Sequence, residues 1–83
     1  MKVQVRYFAS LREALGAQQA VDMPAGSTLG ALRDALAASS ARHAEVLARG
    51  RAVRCAQDRR MCDESTPLID GAEVAFFPPV TGG

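Results

Sequence analysis

Glu73-Val74-Ala75-Phe76-Phe77-Pro78-Pro79-Val80-Thr81-Gly82-Gly83, the last stretch of the sequence, divides it into a body and a tail. Glu73 to Phe77 alternates around Val74 and Phe76, the two-residue period of a strand with one buried face. Burying those two turns Phe77 to the other side with Ala75 and Glu73, so a large apolar ring is expected to stay wet. Pro78-Pro79 then removes two amide donors and keeps the backbone extended, which stops the sheet ladder. The expected division is a body over residues 1–77 and an extended tail over 78–83, a reach of up to about 20 Å. Gly82 and Gly83 lack β-carbons and fit a channel too narrow for other residues, which suits delivery of a terminal carboxylate to another protein's active site. An α-carboxyl with a pKa of about 3.5 is an anion at neutral pH and a poor electrophile. A mixed anhydride with AMP, made at the expense of ATP, would activate it toward a sulfur or nitrogen nucleophile.

Upstream of the tail the periods switch between strand and helix. Lys2 to Phe8 alternates, with Val3, Val5 and Tyr7 on one face and Phe8 an apolar exception on the other. Ser10-Leu11-Arg12-Glu13 has capping-box spacing and Gly16 supplies a stop, which predicts a helix of one to two turns. Gln19 to Met23 is a weaker strand candidate, ended by Pro24-Ala25-Gly26 and able to pair with the first. After Ser27 or Thr28 as N-cap, Leu29, Leu32 and Leu36 mark the clearest helix, whose stripe should cover the sheet. Ser39-Ser40 interrupts it, and Arg42 to Arg49 reads as a shorter helix with Val46 and Leu47 inward and Gly50 as its end. Arg51 to Gln57, around Val53 and Cys55, reads as a later strand, with Pro67 and Asp70-Gly71 as turns before the last one. The order gives an α+β fold, a mixed sheet covered on one face by a main helix.

Composition excludes several function classes. The chain has 83 residues, 48% hydrophobic and 23% charged, an ordinary globular composition of one small domain. So short a chain has little core to spare for a deep substrate cavity, so an active site of its own is not expected. A net charge of +1 and 5% aromatic residues give no reason to expect nucleic acid or an anionic membrane as ligand. The N-terminal stretch carries no unbroken apolar run, so neither a secretory signal nor a membrane span is read there and a cytoplasmic location is expected. Cys55 and Cys62 lie seven positions apart without a CxxC pattern, and His43 is the single histidine, so no metal site and no disulfide framework is implied. His43 reads as a solvated helix residue, Asp63-Glu64 and Asp70 as solvated carboxylates, and Gly26-Ser27-Thr28-Leu29-Gly30 as a helix cap rather than a phosphate loop. The basic run Arg49, Arg51, Arg54, Arg59 and Arg60 reads first as a solvated surface, second as a dock for an acidic partner.

Pro67-Leu68, Asp70-Gly71, Glu73-Val74-Ala75-Phe76-Phe77-Pro78-Pro79-Val80 and Gly82-Gly83, with Phe8-Ala9 and Leu11-Arg12-Glu13 near the start, resemble the signatures of the small, sulfur-carrier subunits of molybdopterin synthase, a ubiquitin-like β-grasp family. The resemblance implies a β-grasp fold and a C-terminal Gly83 that an E1-like enzyme adenylates with ATP. A sulfur donor of the cysteine-desulfurase or rhodanese type then converts it to a thiocarboxylate. It implies that the tail enters the large subunit of a heterotetramer, where the sulfur attacks cyclic pyranopterin monophosphate and helps form the dithiolene. No cofactor is implied as permanently bound. Phe8, Met61 and Phe77 match apolar positions of the family's partner-binding surface, Arg12 a polar one, and Pro78, Pro79, Val80 and Thr81 the inserted tail with Gly82 and Gly83 at its tip. Arg6, Arg12 and Arg60 would rim that apolar patch. Two other readings use the same ending: a sulfur carrier for thiazole, cysteine or thiolated tRNA synthesis, and a ubiquitin-like protein modifier.

Overall fold

The computed structural model describes residues 1–79. Its elements are β1 (Lys2–Tyr7), α1 (Ser10–Leu15), β2 (Gln18–Asp22), α2 (Leu29–Ser39), α3 (Ala41–Leu47), β3 (Arg54–Gln57), β4 (Arg60–Met61) and β5 (Glu73–Phe77). They form a five-stranded sheet of order β2-β1-β5-β3-β4. The central pair β1 and β5 is parallel, with Val5 opposite Val74 and Tyr7 opposite Phe76, and the other pairs are antiparallel. This is the mixed sheet and β-grasp layout that the resemblance implied. Among the described residues no helix is long and apolar enough to cross a membrane.

The alternation of β1 and β5 sets the core. Val3, Val5, Tyr7, Val74 and Phe76 are buried on one face of the sheet, beneath Leu29, Leu32 and Leu36 of α2, Leu11 of α1 and Leu47 of α3. Thr28 caps α2 as expected, its Oγ1 accepting from the Ala31 amide at 3.1 Å. Gly30 lies where the Asp63–Thr66 segment crosses the first turn of α2, its amide donating to the Glu64 carbonyl at 2.8 Å. A β-carbon there would meet that carbonyl oxygen at 3.2 Å, so the crossing depends on the missing side chain.

Four local expectations are corrected. The Ser10 capping box does not form, because Ala9 takes the N-cap position with φ 54°, no side chain caps the helix, and Ser10 is already helical. The shorter helix ends at Leu47, not at Arg49, with Ala48 as its C-cap and Gly50 in the following turn. The strand expected from Arg51 begins only at Arg54. A two-residue strand, β4, was missed: it pairs back on β3 through a turn in which Asp58 and Arg59 have φ 48° and 70°. Left-handed conformations at both central positions define the hairpin turn that matches strand twist, and here no glycine announces it.

Candidate functional site

The face of the sheet opposite the core carries Phe77 and Met61 of the residues singled out from the sequence, with Phe8 at its edge. Residues paired across strands share a face, so Arg6, Ala75, Ala56 and Met61 form one row across β1, β5, β3 and β4. The neighbouring row, at the end of β5, holds Phe77 opposite Arg54. Phe8 joins it from beyond β1, its amide donating to the Phe76 carbonyl at 3.2 Å. Phe8 is 39% exposed and Met61 59%. Two strand spacings, about 10 Å, separate the lines of β5 and β4, so the rings, Ala75 and Met61 belong to one patch, with Ala56 buried on the strand between.

Phe77 is half-buried rather than wet, as are Pro78 and Pro79 after it. Pro78 borders a cleft of about 340 Å³ with Leu11, Val46 and Arg51, so the first tail residue lies against α1 and the turn after α3. Arg12 is exposed on α1, one turn beyond Phe8. Val80, Thr81, Gly82 and Gly83 lie outside the described residues. The basic rim also differs from expectation. Arg6 holds its guanidinium 5.6 Å from the Phe8 ring centroid, and its Nη1 is 3.7 Å from Glu73. Arg60, opposite Gln57, falls on the other face from Met61, while Arg54, opposite Phe77, takes the place on the rim that sequence reasoning gave to Arg60. Cross-strand register, which the unseen β4 hairpin sets, was the missing signal.

Behind the patch the polar side chains are structural. Arg33 is 4% exposed and donates to the Leu47 carbonyl at 2.7 Å, the Ala48 carbonyl at 2.9 Å, the Arg51 carbonyl at 2.7 Å and Glu64 Oε2 at 2.8 Å. Arg49 bonds both Asp34 and Glu64. Glu64 is therefore not the solvated carboxylate expected. Burial alone would raise its pKa, but hydrogen bonds from Arg49 and Arg33 outweigh that and hold it below its ordinary value. His43 is half-buried rather than solvated, its Nε2 3.0 Å from Gln19 Oε1, which also accepts from the Tyr7 hydroxyl at 2.8 Å. Burial pushes the Tyr7 pKa up to about 12, keeping it a neutral donor. Among the described residues no cluster of three or more metal-ligating side chains forms.

A mixed sheet gripping one long helix, with an apolar patch on its open face and a central strand running into Pro78-Pro79, defines a ubiquitin-like β-grasp protein. The chain belongs to the ThiS family, which matches residues 5–83. It is 43% identical over 84 residues to the molybdopterin synthase sulfur carrier subunit of Escherichia coli (strain K12), covering 98% of this chain and 99% of that one. Among solved structures it resembles SAMP1 from Haloferax volcanii, with a TM-score of 0.81, 25% identity and full coverage of both chains. It also resembles a chain in the complex of subunits 1 and 2 of molybdopterin-converting factor from Helicobacter pylori 26695, with a TM-score of 0.69, 27% identity and full coverage of both chains.

Proposed function

We propose that this chain is the sulfur-carrier subunit of a cytoplasmic molybdopterin synthase and that Gly83 carries the sulfur. The observation that carries this reading is the similarity over 98% of the chain to a relative of that name. The Helicobacter pylori complex of subunits 1 and 2 supports a large-subunit partner, and the assembly in this reading is a heterotetramer with a large-subunit dimer at the centre and one carrier at each end. The body's part is to present and to dock. The patch of Phe8, Phe77, Ala75 and Met61 gives the large subunit an apolar surface to desolvate, flanked by Arg6, Arg54 and Arg12 for polar contacts at its rim. Phe77 and Pro78 set the tail's point of departure beside that surface, so docking and insertion are coupled.

The chemistry belongs to the carboxylate of Gly83. An E1-like partner joins it to AMP from ATP, releasing pyrophosphate. The outer sulfur of a donor-protein persulfide then attacks the carbonyl and expels AMP, and a second thiol attacks the donor sulfur of the resulting acyl disulfide, leaving a thiocarboxylate on Gly83 and a disulfide on the donor side. In the large subunit that sulfur attacks a side-chain carbon of cyclic pyranopterin monophosphate and displaces an oxygen substituent there, and water then cleaves the resulting thioester at the Gly83 carbonyl, leaving the sulfur on the pterin and freeing the carrier as its carboxylate for another round. Two carriers supply the two sulfurs of the dithiolene. ATP is the activating enzyme's substrate, so the carrier keeps no cofactor.

The test is reconstitution. The purified chain, sulfurated at Gly83 and mixed with the large subunit and the pterin precursor, is expected to yield molybdopterin, with intact mass reporting one oxygen-for-sulfur exchange before turnover and its reversal after. Sulfuration without product would overturn the molybdopterin assignment and leave a carrier for another acceptor. Isopeptide-linked Gly83 on lysines in cells, with no thiocarboxylate, would overturn the carrier reading itself.

A further inference from the structure

Cys55 and Cys62, which no step of the proposed sulfur transfer uses, lie directly opposite each other across the β3–β4 hairpin. The register Gln57 to Arg60 and Ala56 to Met61 continues one step to Cys55 and Cys62, and the Cys62 amide donates to the Cys55 carbonyl at 3.3 Å. Cys55 Sγ in turn lies 3.4 Å from the Cys62 carbonyl oxygen. Residues directly opposed in an antiparallel ladder have Cα atoms about 4.5–5.5 Å apart, inside the range a disulfide spans, and their side chains leave the sheet on one face. Cys55 is buried and Cys62 half-buried. A cleft of about 420 Å³ lined by Cys55, Cys62, Met61, Asp63 and Glu64 gives a small thiol reagent a way in.

From this geometry we infer that Cys55 and Cys62 are a redox modification site, closing to a cross-strand disulfide by exchange with a low-molecular-weight disulfide such as oxidised glutathione. The thiolate of Cys62, the more accessible of the two, attacks one glutathione sulfur. One Cys62–glutathione bond forms and one glutathione thiolate leaves. The Cys55 thiol then loses its proton and attacks Cys62 Sγ, forming the Cys55–Cys62 bond and expelling the second glutathione. Two thiols are oxidised, one disulfide is reduced to two thiols, and the electrons balance. The second step is the slow one, because burial, the largest cause, holds the Cys55 pKa above its ordinary value. The bond ties down the hairpin that carries Met61.

The full chain is equilibrated in glutathione buffers from fully reduced to fully oxidised, quenched in acid and labelled with a maleimide. Labels are expected to fall from two to none, with loss of two hydrogens in the intact mass, a Cys55–Cys62 cross-linked peptide and full reversal by dithiothreitol. The Cys55→Ser variant, folded by circular dichroism, is expected to stop at a glutathione adduct on Cys62. Two labels retained in oxidised buffer, a persistent Cys62–glutathione adduct in the unaltered chain, or a covalent dimer through Cys62 would each overturn the inference.

Discussion

Arg33 donates from all three guanidinium nitrogens to four acceptors, three of them main-chain carbonyls in the Leu47–Arg51 segment. Truncating it strands those carbonyls where the helices exclude water. Removing one partner from a buried ion pair costs about 3–5 kcal/mol, and the lower end applies here because Glu64 keeps 30% of its side chain in solvent and is partly screened. Arg33→Ala is therefore expected to lower stability by about 3 kcal/mol, read as a lower urea midpoint with an unchanged slope. Arg33→Lys, whose single ammonium cannot reach the same acceptors, should fall between the two. The pH dependence follows from Glu64. A carboxyl held below its ordinary 4.5 contributes stability that is fully present above that value and is lost as pH falls through the lower value of the fold. Urea midpoints of the unaltered protein should drop below pH 4.5 more steeply than those of Glu64→Gln. Equal acid slopes would show that Glu64 is not bound by the two arginines.

The β3–β4 hairpin turns through two non-glycine residues in left-handed conformation, Asp58 and Arg59. Asp58 is fixed to β5, its amide donating to the Glu73 carbonyl at 2.8 Å and its Oδ1 accepting from the Glu73 amide at 3.0 Å. Arg59 is exposed, so the turn strain there is open to relief. An L-residue in that region costs about 1–2 kcal/mol, part of which glycine forfeits in the freedom it adds to the unfolded chain. Arg59→Gly should stabilise the protein by about 0.5–1 kcal/mol, a rise of about 3–6 °C in a thermal melt; a fall would mean that the Arg59 side chain contributes more than its backbone costs. The same hairpin shows what could be read in advance. The strands β1 and β5 and the helix α2 were legible because each buries a whole face and so writes its period into the sequence. The hairpin was not, since Gln57-Asp58-Arg59-Arg60 has no glycine and β4 is two residues long. Gln57 breaks the apolar pattern of β3 because its buried amide bonds the Pro67 carbonyl and the Ile69 amide, a contact set by a distant loop. Arg33 was hidden for the same reason, as its acceptors arrive from 14 to 31 residues away. Of the candidate site, alternation alone pointed to Phe8 and Phe77, the family resemblance added Met61, and Arg54 needed the register.

The core runs from Val3 to Phe76 and draws on both ends of the described chain, yet the apolar patch proposed for docking lies on the opposite face of the same sheet. Folding, docking and sulfur loading should therefore separate by mutation. Met61 is 59% exposed and contributes little to the core, so Met61→Asp should leave the melting temperature within about 2 °C, since 1 kcal/mol moves a domain of this size by about 4–8 °C. A carboxylate placed within an apolar patch must be desolvated on association, and binding to the large subunit should weaken at least tenfold, or about 1.4 kcal/mol. Phe77→Ala, at a half-buried position, should reduce both, but association more than folding. A chain lacking residues 80–83 should gain no sulfur from the activating system, because it lacks the carboxylate of Gly83. Calorimetry, binding by titration and intact mass distinguish the three effects. If Met61→Asp bound as tightly as the unaltered chain while Phe77→Ala lost binding, the interface would end at β5 and the β4 hairpin would lie outside it.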